Sequence, residues 1–172
     1  EPTQAAPEPV SNPNVVEQKT ATIDWNAARA DFAARDFEDD AMAQVASGGS
    51  PAVPILLPDE PVGIASAGGE GALQFRPLAD GYFAVRNGDV YDLIINGTDR
   101  LVARPGDSGT TTDSPLKYEE TMTGALVSFS RYGASYLVEF MCKEREAVVE
   151  GTCINEADAL AEVEKLLIAG TR

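Results

Sequence analysis

Cys142 and Cys153 are the only cysteines in the chain, and the segment that holds them, EFMCKEREAVVEGTC, constrains the fold more than any other stretch. Ahead of it Tyr136, Val138, Phe140 and Cys142 recur at period two, the pattern of a strand with one buried face. Behind it NEADALAEVEKLLIAG reads as a helix. Asn155 is its N-cap, Asp158 sits at N3, Leu160, Val163 and Leu167 form the apolar stripe, and Gly170 supplies the stop. Cys142 therefore ends a strand and Cys153 stands just before a helix.

Four chemistries compete for this pair. Zinc would need third and fourth ligands, which the spacing does not offer. A redox pair has C-x-x-C spacing with a helix N-terminus beside the nucleophile. Two unrelated buried thiols remain open. A structural disulfide between Cys142 and Cys153 fits best, stapling helix to sheet across the charged excursion Lys143–Thr152. It would contribute about 3 kcal/mol through loop closure, and it implies an oxidising compartment.

The rest of the chain is read from its punctuation. EPTQAAPEPVSNPN opens the sequence with recurrent Pro and Glu, a composition that cannot bury a core, so residues 1–19 are expected to form a tether and 20–172 a single domain. TIDWNAARADFAARDF has helical spacing, with Asp24 as N-cap and Trp25, Ala28 and Phe32 on one face; EDDAMAQVASGGS extends or repeats it. Pro51, Pro54, Pro58 and Pro61 demote Ile55–Leu57 to an edge strand or packed loop, and GIASAGGEGA is a connector. Residues 81–104 suggest a three-strand meander with a type I′ turn at Asn87-Gly88 and a second turn at Asn96-Gly97. Its strands are apolar on both faces, with Phe83, Val85, Val90 and Ile94 opposing Tyr82, Tyr91, Leu93 and Ile95. A sheet covered on both sides, by helices or by a partner, is the expectation. KYEETMTG reads as a strand. Ala125–Ser130 and Ser135–Cys142 form a second hairpin around Arg131-Tyr132-Gly133-Ala134. The fold class is α+β: an antiparallel sheet of about five strands, a C-terminal helix packed on it and an N-terminal helix nearby.

Histidine is absent from the sequence, and that removes an imidazole base, a His-ligated zinc and a phosphohistidine together. GDSG at 106–109 therefore cannot be the nucleophile of a Ser-His-Asp triad and reads as a turn within the polar loop 105–115. SPLK at Ser114–Lys117 matches S-x-x-K without its supporting elements. Asp36, Glu38, Asp39 and Asp40 offer hard oxygen ligands for Ca²⁺ but lack the order of a calcium loop, so a solvated acidic face is the simpler reading. GGEG at 68–71 lacks phosphate-loop spacing. Asn96-Gly97-Thr98 is formally a glycosylation sequon. No catalytic, cofactor or metal-binding residue is assigned.

The chain carries 28 acids against 13 bases, a net charge of −15. Both halves are acidic, so no basic face can be assembled for nucleic acid or an anionic membrane. No apolar run is long enough to form a transmembrane helix.

The C-terminal part resembles a group of uncharacterised exported proteins of Gram-negative bacteria. The residues that carry this are the aromatic–Arg–aromatic–Gly turn (Phe129, Arg131, Tyr132, Gly133), the strand ending in Cys, the second Cys before a final helix, and VPILLP at Val53–Pro58. The resemblance implies an exported fold with a paired cysteine and transfers no activity. A non-enzymatic periplasmic or secreted domain, tethered through its N-terminal segment and binding a partner in the bacterial envelope, is the leading expectation. A carboxylate-dependent hydrolase or small-ligand binder is the alternative, and an inhibitor presenting loop 105–115 a third.

Overall fold

The computed structural model describes residues 18–35, 49–58, 73–102 and 113–172. Its centre is a six-stranded antiparallel sheet of β3 (Leu73–Leu78), β4 (Gly81–Arg86), β5 (Tyr91–Thr98), β7 (Ser114–Thr121), β8 (Gly124–Arg131) and β9 (Ala134–Cys142), in the order β3-β4-β5-β9-β8-β7. Two small antiparallel pairs accompany it. One joins β1 (Gln18–Thr20) to β6 (Arg100–Val102), and the other joins β2 (Ile55–Leu57) to β10 (Leu167–Gly170). Three helices complete the described fold: α1 (Trp25–Ala34), α2 (Arg145–Val149) and α3 (Glu156–Glu164).

The central sheet obeys period two. On β9 the residues Tyr136, Val138 and Phe140 are buried, while Leu137 and Met141 on the opposite face are exposed. The register places Ala125, Val127 and Phe129 of β8 and Leu93 and Ile95 of β5 on the same inner face. Phe129 stacks on Tyr136 at 5.2 Å and Phe75 on Tyr82 at 5.6 Å, which fixes neighbouring strands against each other.

Part of what covers this inner face is β2. Ile55, Leu56 and Leu57 are all buried, and β10 pairs with only one side of them. The backbone on the other side would be orphaned in an apolar core. Tyrosines rising from the sheet take its place. The Leu56 amide donates to Tyr82 Oη at 2.9 Å, the same hydroxyl donates to the Leu56 carbonyl at 2.8 Å, and Tyr136 Oη donates to the Pro54 carbonyl at 2.7 Å. The flanking Pro54 and Pro58 carry no N–H and so leave no donor to satisfy. Thus the prolines that mark this stretch as an edge or a loop border a buried strand.

Gly97 makes room for these rings. It lies opposite Tyr82 on one side and Tyr136 on the other, and a Cβ there would stand 2.5 Å from Tyr82 Cε1 and 2.9 Å from Tyr136 Cε1. Asn96-Gly97 is accordingly the interior of β5 rather than a turn. Nor is Asn87-Gly88 a type I′ turn: β4 and β5 are joined by residues 87–90, and neither residue has the positive φ that such a turn needs. The two-residue loop with positive φ at both positions is Tyr132-Gly133, at 55° and 81°, between the paired Arg131 and Ala134.

The helices confirm some boundaries and correct others. Asp24 caps α1 by accepting from the Ala27 amide at 3.0 Å, and Ala28 is fully buried. Asn155 caps α3 by accepting from the Asp158 amide at 2.9 Å, and Ala159 and Val163 face the core. α3 ends at Glu164, however, and Leu167–Gly170 is strand, so Leu167 leaves the helical stripe and Gly170 is no helix stop. The Leu-Ile-Ala run pairs with β2, and that pairing outweighs continued helix. The sheet has six strands rather than about five, and β6 pairs with β1 instead of extending the meander. Gln18 and Lys19 are strand residues inside the expected tether. Residues 1–17, and the expected extension of the first helix beyond Arg35, lie outside the described residues.

Replacing Tyr82 by Phe orphans both backbone groups of Leu56, and urea melts of Tyr82→Phe should show destabilisation of about 1–3 kcal/mol for each group left unpaired. Gly97→Ala should destabilise at least as much by forcing both rings aside; a variant with unaltered stability would contradict this arrangement. A second expectation concerns alkali. Burial pushes the phenols of Tyr82, Tyr136 and Tyr132 well above their ordinary range, with the neighbouring tyrosines adding to the effect at Tyr136 and the Asp31 hydrogen bond at Tyr132. Unfolded phenols ionise near about pH 10, whereas the folded ones hold their protons, so stability is retained below that pH and lost above it. Ultraviolet titration should find these three tyrosines silent until the chain unfolds.

Candidate functional site

Three places could carry a function. The first is the tip of the β8–β9 hairpin. Tyr132 Oη donates to Asp31 Oδ2 at 2.6 Å, and Arg131 Nη2 approaches the same carboxylate oxygen at 3.4 Å. The Tyr132 carbonyl accepts from the Asp24 amide at 2.8 Å, and a Cβ on Gly133 would collide with the Thr22 carbonyl. A tyrosine with positive φ is unusual, but here its hydroxyl and carbonyl both bond to the start or flank of α1. The cluster fastens hairpin to helix, and its Arg131 also lines the neighbouring cavity.

A cavity of about 350 Å³ opens beside it, floored by Leu56, Leu116, Phe129 and Val163. The acids at its rim, Asp113 and Glu164, are both exposed, so no inward carboxylate pair forms. Ser114 and Lys117 do not form a catalytic pair either. They lie on β7, where Pro115 and Leu116 together face Phe129 in a bulge. The Ser114 hydroxyl accepts from the Ser130 amide at 2.8 Å, and Lys117 Nζ reaches Glu119 at 2.8 Å.

The second place is the link between β9 and the segment before α3. Cys142 and Cys153 stand at disulfide distance, with their Cα atoms 6.1 Å apart. The charged stretch between them contains the short helix α2. A cavity of about 250 Å³ lies between α2 and the end of the sheet, lined by Tyr118, Gly124 and the cysteines themselves. The pair is compatible with an exported protein.

The third place is the outer face of the sheet. β2, β10 and α3 pack on the inner face, and among the described residues no element covers the other. The register assembles on it Phe83 and Val85 of β4, Ile94 of β5, Leu126 of β8, and Leu137 and Met141 of β9. Leu137 is 45% exposed and Met141 38%, the others half-buried among their neighbours. Glu139 lies at the centre, beside Ile94 on one strand and Leu126 on the other, with Leu137 and Met141 before and after it. Asn96, the sequon residue, is on this face as well, level with Leu137. The period-two apolarity of Phe83, Val85 and Ile94 was the signal in the sequence for this surface, and it led to the expectation of a second covering layer. Glu139 carried no signal, because its central position follows only from strand order.

Both lateral edges of the sheet are blunted. β7 carries Pro115 and its bulge, and β3 carries Pro77, which disfavours addition of a further strand. GDSG at 106–109, GGEG at 68–71 and the acids Asp36, Glu38, Asp39 and Asp40 lie outside the described residues. Among the described residues no three acidic or cysteine side chains converge on a metal-sized site, and no helix is long and apolar enough to cross a membrane. No family model matches the chain, and no curated protein or solved structure is significantly similar to it.

If the cysteines are bonded, an alkylating reagent should label neither in the native or denatured protein until reductant is added. Reduction should then cost about 3 kcal/mol of stability. Rapid labelling without reductant would refute the link.

Proposed function

We propose that the protein is a non-enzymatic exported domain that binds a partner of the bacterial envelope through the outer face of its sheet. The observation that carries this reading is the contiguous set of six large apolar side chains on a face that no described element covers. A one-sided antiparallel sheet normally turns polar residues to water, and a contiguous exposed apolar patch marks an interaction surface. The acidic composition disfavours nucleic acid and anionic lipid. The cysteine pair at disulfide distance supports an oxidising address such as the periplasm or the exterior.

The alternative of a carboxylate-dependent hydrolase or small-ligand binder has the 350 Å³ cavity in its favour. Its rim acids are solvent-exposed, and Arg131 is engaged by Asp31. That arrangement suits neither paired-carboxylate chemistry nor a buried ligand. The inhibitor reading rests on loop 105–115, most of which lies outside the described residues.

A photo-crosslinking residue placed at Leu137 in cells should give a discrete adduct, and the same residue at the exposed Ala161 of α3 should give none. Equal crosslinking from both positions, or none from Leu137, would remove the outer face from consideration.

A further inference from the structure

We infer that the outer sheet face selects a protein segment bearing an arginine or lysine flanked by apolar side chains, with the Glu139 carboxylate receiving the cation. This rests on the reading of that face as a docking surface and adds the chemistry of what docks there. Glu139 is half-buried, and among the described residues it makes neither ion pair nor hydrogen bond. The other charged groups of the surrounding face are differently placed. Asp92 is paired with Lys143 at 2.7 Å and Glu119 with Lys117 at 2.8 Å. Arg76 is exposed on edge strand β3, with β4 and β5 between it and the strand of Glu139.

Any partner covering Ile94, Leu126, Leu137 and Met141 also removes Glu139 from water, because it lies in their midst. Burying an unpaired carboxylate opposes association strongly, whereas a cation that reaches it restores the interaction lost with water. A wholly apolar partner is therefore penalised at the centre of the patch, and the carboxylate acts as a selector among partners. A second copy packing symmetrically through this face would bring one Glu139 toward the other, in a chain whose net charge is already −15. The same overall charge draws a cationic segment toward the protein.

Two synthetic peptides test this, one alternating Leu with Arg and the other carrying neutral citrulline at each Arg position. The Arg peptide should bind at least about tenfold more tightly, the loss expected when a desolvated charge pair is broken. Glu139→Gln should bring it down to the citrulline level, and Leu137→Asp should remove binding of both. Methyl resonances of Ile94, Leu126 and Leu137 in the unsubstituted protein should shift on titration with the Arg peptide, which needs no variant to fold. Equal affinity for the two peptides, lost in Leu137→Asp but indifferent to Glu139→Gln, would overturn the cation selection and leave the docking face standing. Absence of binding by either peptide, or binding unaffected by Leu137→Asp, would overturn both. A concentration-dependent dimer in sedimentation that Leu137→Asp abolishes would assign the face to a second copy and refute the inference.

Discussion

The structure depends on how a short buried strand satisfies its backbone. Ile55–Leu57 lies within the core with a strand neighbour on one side only. A third strand would ordinarily complete the ladder; here two phenols standing on the central sheet do so. Tyr82 both accepts from and donates to Leu56, and Tyr136 donates to Pro54. Each tyrosine thus contributes a buried ring and a polar tip placed where the backbone requires it. Because the rings belong to β4 and β9, they tie the second layer to two strands separated only by β5. The glycine on β5 between them is the steric condition for both.

Among the described elements, that device leaves the sheet covered on one side only. With the inner face occupied by β2, β10 and α3, the outer face keeps an apolar row that the same strands present by alternation. Its edges are unsuited to strand addition, Pro77 and the Pro115 bulge having removed regular ladder sites. A partner of the kind proposed would therefore meet the face of this sheet, where Glu139 lies amid the apolar row. The hairpin tip is built differently. There Tyr132 adopts an unusual backbone conformation, and its bonds to Asp31 and Asp24, with Gly133 close against Thr22, make it a joint between hairpin and helix.

Local signals were readable wherever the determinant sits within a few residues. Asp24 and Asn155 cap the helices that the sequence assigns to them, since the bonds run to amides three residues on. The strand ending at Cys142 was legible from alternation. Turn signals failed where a distant ring or carbonyl had priority. Asn96-Gly97 looks like a turn, but its glycine is required by Tyr82 and Tyr136. Asn87-Gly88 belongs to a longer loop, in which the Gly88 amide bonds Asp92 at 3.3 Å. Conversely Tyr132-Gly133 forms the tight hairpin although tyrosine resists positive φ, because contacts from α1 hold it there. Gly170 closes a strand rather than a helix for the same kind of reason: Leu167 and Ile168 find partners in Leu57 and Leu56, more than a hundred positions away.

By itself the sequence determined the strongly acidic charge, the lack of any imidazole chemistry, the helix caps and the alternating strands that end at Cys142. These follow from composition or from interactions closed within one or two turns of chain. Tertiary structure alone decided that the proline-flanked strand is buried, that Gly97 serves two tyrosines, and that Glu139 lies amid apolar side chains on a face that no described element covers. Each of those depends on strand order and register, where a single step moves a side chain from core to solvent.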